Sequence, residues 1–246
     1  MKTTHSVMGM PITVLIVSDD DLLANNATKA AFEEFYETDR TFSTYKPDSE
    51  ISRINRHELD IASASPEVKE VLGECEELRK MTGGYFDINR DGRIDPSGLV
   101  KGWSIGRAAK KVETLGIRNF FIEAGGDITL RGHNEDGQTW RVGIRNPNNL
   151  DEIVKVLEIS EGSVCTSGTY ARGEHIYNPI TGKPALEMSS VTVVGPDVAA
   201  SDAIATAAFA KGAAGIQLIA EMGLEAYVIL RSGKAVFTRG MEKYFL

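Results

Sequence analysis

An α+β fold is what the sequence predicts, and two observations predict it. Runs rich in β-branched residues are mixed with solitary helical stretches, which favours helices laid on an antiparallel sheet over a doubly wound parallel one. The 246 residues also run without internal repeat, low-complexity segment or linker, enough for one large domain or two closely joined lobes. We read residues 1–246 as a single domain.

Residues 10–17, Met-Pro-Ile-Thr-Val-Leu-Ile-Val, form the first β-branched run and read as a strand. Asp20 or Asp21 then caps a helix reaching to about Thr38. Ser65-Pro66-Glu67 is a strong helix start, with a capping serine, proline in the first turn and an acid; Gly83-Gly84 stops that helix. Residues 101–115 are amphipathic, and Gly116 is their natural C-cap. Strands follow over 119–124, 127–131 and 140–145, with Asp136-Gly137 turning between the last two. The final third reads as a strand over 153–159, a loop, a strand over 190–194, and a helix from Ser201. Strands over 226–230 and 235–238, joined at Ser232-Gly233, complete the chain.

Net charge of −8 and a pI near 5.2 argue against a nucleic-acid partner, because backbone phosphates need a basic face. A local basic pocket for one small phosphate ligand stays allowed. Cys75 and Cys165 lie far apart and lack CxxC or zinc spacing, so buried reduced thiols are expected rather than a disulfide. The opening Met-Lys-Thr-Thr-His-Ser-Val has no apolar signal core, and no apolar run is expected to reach the roughly 18 residues of a membrane span. The expectation is a cytoplasmic chain with no membrane partner.

Asp87-Ile-Asn-Arg-Asp-Gly-Arg-Ile-Asp95 matches a calcium loop at positions 1, 3 and 5 and at its turn glycine, Gly92. Its twelfth position is Gly98, where a bidentate glutamate should stand, and neither flanking helix is supported. A polar β-turn with Asp91-Gly92 at the bend is the better reading.

Four further segments carry chemistry. Asp202 and Thr206 stand four apart on a helix, so a carboxylate and a hydroxyl share one face, an arrangement suited to magnesium. The same residues also fit a plain helix start, with Ser201 as N-cap, Asp202 on the dipole and Thr206 packing. Ser97-Gly98-Leu-Val-Lys101-Gly102-Trp103 leads into a helix; its glycines let backbone approach an anion, and Lys101 can supply a point charge to a phosphate. It lacks Walker A spacing and equally fits a glycine-rich turn. Gly125-Gly126-Asp127 is a tight bend carrying an acid, structural or ligand-binding alike. Thr166-Ser-Gly168 and His175-Ile-Tyr-Asn place hydroxyls and a histidine on a loop-rich segment, where His175 either moves a proton or bonds the backbone.

Taken in order, these segments resemble the ApbE-like family, the FAD:protein FMN transferases. Met8-Gly9-Met10 looks like the family's opening Met-Gly-Thr. The stretch Phe42-Ser-Thr-Tyr-Lys-Pro-Asp-Ser-Glu-Ile-Ser-Arg-Ile-Asn55 is similar to its second block. Gly84-Tyr-Phe-Asp-Ile88, the Gly98 to Trp103 turn, Ala124 to Asp127, the Thr166 and His175 blocks and Asp202 to Thr206 complete the series.

The resemblance implies two α/β lobes around a flavin-nucleotide cleft, and an enzyme that binds FAD and Mg2+. It transfers FMN to a Ser or Thr hydroxyl of a target flavoprotein and releases AMP; some members hydrolyse FAD instead. Carried over by motif, Asp202 and Thr206 are side-chain metal ligands and the Gly98 carbonyl a backbone ligand. Met8, Tyr45, Tyr85, Phe86, Asp87, Asp95 and Lys101 line the FAD site, with the aromatic residues suited to stacking on flat rings. His175 or Asp202 takes the acceptor proton. Three departures accompany the match: Gly106 replaces an expected acid, Met10 replaces a threonine, and the segment between Asp87 and Gly98 is short. A metal-dependent FAD pyrophosphatase and a flavin-binding protein without turnover are the alternatives.

Overall fold

The computed structural model describes residues 1–168 and 176–246. In chain order it contains β1 (Lys2–Val7), β2 (Met10–Ile16), α1 (Asp21–Phe42), α2 (Glu50–Asn55), α3 (Pro66–Met81), β3 (Asn89–Arg90), β4 (Arg93–Ile94) and α4 (Ser97–Thr114). Next come β5 (Phe120–Ala124), β6 (Asp127–Arg131), β7 (Trp140–Asn146), β8 (Asn149–Ile159), β9 (Glu161–Gly168), β10 (Tyr177–Asn178) and β11 (Lys183–Pro184). β12 (Met188–Gly195), α5 (Val198–Lys211), α6 (Gly215–Glu221), β13 (Glu225–Leu230) and β14 (Ala235–Phe237) finish the fold.

Eight strands make one sheet in the order β1-β2-β5-β6-β9-β12-β13-β14, and every adjacent pair is antiparallel. Side-chain alternation sorts the two faces. Ile12, Val14 and Ile16 of β2 and Phe120 and Ile122 of β5 pack with α1 and α4, while Val191, Val193, Ala226 and Val228 pack with α5. Their neighbours Leu130, Val164, Val194 and Ile229 point the other way, onto Trp140, Val142 and Leu157 of the β7–β8 hairpin. Helices therefore cover one face and a long hairpin the other, the α+β architecture expected from the order of elements.

Local chemistry explains the main boundaries. Asp20 caps α1 through Leu23 N–H, and Ser65 caps α3 with Pro66 behind it. The suspected calcium loop is the β3–β4 hairpin, with Asp91 and Gly92 at φ 52° and 74°, a two-residue turn of the primed kind. Both cysteines are free and buried.

Four expectations are corrected. β1 was unseen because its alternation, Lys-Thr-Thr-His-Ser-Val, is polar on an edge strand with one covered side. β9 stands where a loop was expected: Ser163, Cys165 and Ser167 are small residues buried under α5, so hydrophobic alternation is absent although the strand is central. Helix α5 starts at Val198, capped by Asp197 through Ala200 N–H at 2.8 Å, so Ser201 is not the cap. Its Oγ instead bonds the Asp197 carbonyl and Ser163 Oγ.

Helix α4 begins at Ser97, so residues 98–103 are helical rather than a turn. Gly98, Gly102 and Gly106 recur every fourth residue and line the face that α5 crosses. A Cβ on Gly102 would lie 2.7 Å from the Val198 carbonyl oxygen and 2.8 Å from Ala199 Cα. Gly102 serves the close helix–helix approach, and its glycine-rich surroundings look like loop composition in sequence. Gly106, where an acid was expected, faces Val198.

The stretch Val198–Glu221 is also more apolar than expected, with a hydropathy of 1.4 over a membrane-length window. It is apolar all round because α5 lies between the sheet and α4, and 61% of that window is buried.

Candidate active site

Where α4, α5, β6 and β9 meet, the core turns polar. Lys101 on α4 puts its Nζ 2.5 Å from Asp127 Oδ2 and 3.3 Å from Asp202 Oδ1. The lysine side chain is 23% exposed, the two carboxylates 0% and 3%. Each acid has a second anchor: Asp127 Oδ1 accepts from Thr166 N–H at 2.9 Å, and Asp202 Oδ2 accepts from Gly102 N–H at 3.1 Å. In a regular helix the Gly102 N–H is aimed at the Gly98 carbonyl. One turn further along α5, Thr206 Oγ1 lies 3.3 Å from Ser167 Oγ of β9.

The chain builds this cluster from simple local rules. Gly125 and Gly126, at φ 59° and 96°, make the tight β5–β6 turn that sets Asp127 at the first position of β6. There its carboxylate meets the N–H of Thr166, just beyond the last β6–β9 pair at Val164. The i, i+4 spacing aligns Asp202 with Thr206, and the close approach at Gly102 brings Asp202 against the α4 backbone.

Two carboxylates face one ammonium, so ionising both would leave an excess of negative charge away from water. Burial, followed by the neighbouring Asp127, pushes the Asp202 carboxyl well above its ordinary range, against the pull of Lys101. Burial pulls Lys101 down, but Asp202 and Asp127 outweigh it and hold the ammonium charged above its ordinary value. Cys165, beneath the cluster, is raised well above the usual thiol value by burial and then by the same two acids.

The other residues singled out in the sequence are placed as follows. Gly98 lies against Thr206, whose Cγ2 would be 3.9 Å from a Cβ there, and against the ring of Phe86 at 3.2 Å. Phe86 is buried in the core beside Leu99 and Trp103. Met8, at φ 55° in the β1–β2 turn, touches both helical cores, and Ser104 Oγ approaches its sulfur at 3.9 Å. Tyr85 carries Lys211 Nζ 5.1 Å from its ring centre. Tyr45 is 96% exposed between α1 and α2. Asp87 holds Asn89 in a local turn and Asp95 accepts from Ser97 N–H, so both serve segment geometry. No hydrogen bond or ion pair joins Tyr45, Asp87 or Asp95 to the cluster among the described residues. His175 lies outside those residues.

Two members of the cluster, Asp127 and Ser167, were not among the predicted site residues. Asp127 had a signal, an acid directly after a Gly-Gly bend. Ser167 had only its place in the Thr166-Ser-Gly168 hydroxyl run, read as loop because β9 itself was hidden.

An antiparallel sheet with a buried acid–lysine–acid cluster at a helix crossing defines an α+β protein built around charged, oxygen-rich chemistry. The ApbE family model matches residues 8–91 and 88–228, and the chain belongs to that family. The FAD:protein FMN transferase of Vibrio cholerae is 26% identical over 236 residues, covering 72% of this chain and 70% of that protein. Its namesake from Haemophilus influenzae is 24% identical over 268 residues, covering 82% and 78%. Among solved structures, the ApbE protein of Thermotoga maritima superposes with a TM-score of 0.89 at 21% identity, covering 99% of this chain and 98% of that one. The flavin transferase ApbE of Vibrio cholerae gives 0.85 at 22% identity, covering 99% and 98%. These two share the fold.

Proposed function

We propose that this chain is a flavinyltransferase that moves the FMN moiety of FAD to a Ser or Thr hydroxyl of a target flavoprotein, with Mg2+ as its metal. The observation that carries this is the buried Lys101–Asp127–Asp202 cluster beside Thr206, formed by the family's own segments. In the reaction the hydroxyl oxygen bonds to the FMN phosphorus, the anhydride P–O bond breaks, and AMP leaves with that bond's electrons.

The donor set fits magnesium. Asp202, Thr206 and the Gly98 carbonyl all offer hard oxygens, and the two acids outnumber the single lysine. No group of three His, Cys, Asp or Glu forms a full cage among the described residues. When bound, such an ion supplies a Lewis acid for the phosphate oxygens.

The chain's own residues do the remaining work. Lys101 supplies a fixed positive charge facing an anion, Asp202 is oriented through both oxygens, and Met8 and Tyr85 offer apolar surface for the nucleotide. His175 or Asp202 takes the acceptor proton.

Incubation with FAD, with and without Mg2+ and a candidate acceptor, tests the reading by chromatography of AMP and FMN. Metal-dependent AMP with covalent FMN on the acceptor is expected, and Asp202→Ala should lower turnover by at least about 100-fold while the protein stays folded. Free FMN with AMP and an unmodified acceptor would make it a pyrophosphatase. Wild-type transfer by Asp202→Ala would remove the metal assignment.

A further inference from the structure

Asp202 has both carboxylate oxygens in contact within the protein: Gly102 N–H holds one and Lys101 Nζ faces the other. Lys101 is not symmetric between its partners, since Asp127 is nearer at 2.5 Å against 3.3 Å. Asp127 is itself fixed independently of α4 and α5, by its strand, a glycine turn and Thr166 N–H. From this geometry we propose that Lys101 is an internal cation competing with the divalent ion for Asp202, and that Asp127 is the positioning residue that holds Lys101 when the ion takes Asp202. The inference rests on Asp202 as a metal ligand.

The physical reason is charge balance in a buried site. Two buried carboxylates left without a cation are strongly unfavourable, so the ammonium keeps the metal-free protein folded around an ordered site. Were Lys101 held by Asp202 alone, a divalent ion would have to strip it of its only partner. With Asp127 already closer, the lysine gives up the longer contact and keeps the shorter one. Its charge then stays beside the site, available to a phosphate oxygen.

The two residues therefore have opposite effects on metal affinity, which a merely structural role does not produce. Binding of Mg2+ or Mn2+ alone, without flavin, is measured by calorimetry and by the metal-induced shift in melting temperature. Lys101→Met should tighten the metal about tenfold, and Asp127→Asn should weaken it about tenfold. In the Lys101→Met background, Asp127→Asn should cost no more than about threefold, because the lysine through which it acts is gone. An equal loss in both backgrounds would make Asp127 a direct ligand and overturn the proposal, as would weaker binding by Lys101→Met.

If Lys101→Met folds only with the ion present, that dependence is itself the expected competition; folding that ignores the ion while affinity stays unchanged overturns it. The double variant, with one buried acid neutralised, keeps the cycle measurable. Asp202→Ala separates the two readings. Metal binding unaffected by Asp202→Ala sinks the ligand assignment beneath both, whereas binding lost in Asp202→Ala with an additive cycle sinks this inference alone.

Discussion

At Gly102 the presence of a side chain decides whether two helices can meet. The α4–α5 approach brings the Val198 carbonyl and Ala199 Cα within 3 Å of any Cβ there, and the Asp202 Cβ is equally close at 3.0 Å. Gly102→Ala is expected to destabilise the protein by about 2 kcal/mol through overpacking, and to loosen the Gly102 N–H donation to Asp202. Gly106, four residues on, offers the contrast, since a Cβ there meets only Val198 Cγ1 at 3.5 Å. Gly106→Ala should therefore be neutral or stabilising by up to about 1 kcal/mol, because it removes a helix-interior glycine. Denaturant melts of the two variants check this pair, and equal effects would contradict the seam.

Among the elements, α5 carries the site, and its start is set by a residue outside the chemistry. Asp197 accepts Ala200 N–H, while Ser201, the expected cap, is buried one turn in against Ser163. Asp197→Ala should cost about 1 kcal/mol of stability in a thermal melt, the usual worth of an N-cap. Because Asp202 is held from α4, through Gly102 N–H and Lys101 Nζ, metal affinity should change little in that variant. A second element-scale lock joins α1 to α4: buried Glu34 receives Arg107 Nε at 2.7 Å and Lys111 Nζ at 2.6 Å, and Arg107 lies over the Trp103 ring. This lock holds the outer face of α4 while its glycine face meets α5. The Ser65–Pro66 start of α3, the β3–β4 turn and the β5–β6 turn were legible in the sequence because Ser-Pro, Asp-Gly and Gly-Gly act locally. Helix α4's start and strand β9 were not. Their composition answers to neighbours distant in sequence, α5 for both.

Across the whole molecule, the two thiols report on the packed cores. Cys75 lies on the buried face of α3 in the helical core, and Cys165 on β9 between the sheet and α5. Burial pushes Cys75 from an ordinary 9.0 up to about 12, and Cys165 higher than usual as well. Neither should react with a disulfide reagent at pH 8 in the native protein, and both should react once guanidinium unfolds it. The sign for stability follows. The folded chain keeps Cys75 protonated, so this contribution is complete below pH 9 and is lost as pH rises toward 12. Rapid labelling of one thiol in native buffer would show that the cores open locally.

By itself the sequence determined the fold class, the local turns and caps, the family's ordered segments and the i, i+4 pairing of Asp202 with Thr206. All of these are set within a few residues of chain or by residue types in order. Only the tertiary structure decided that Asp127 joins Lys101, that Ser167 meets Thr206 and that three glycines form a helix seam. Those facts depend on how β6, β9, α4 and α5 converge, and on charges that share one buried site though up to about a hundred residues separate them.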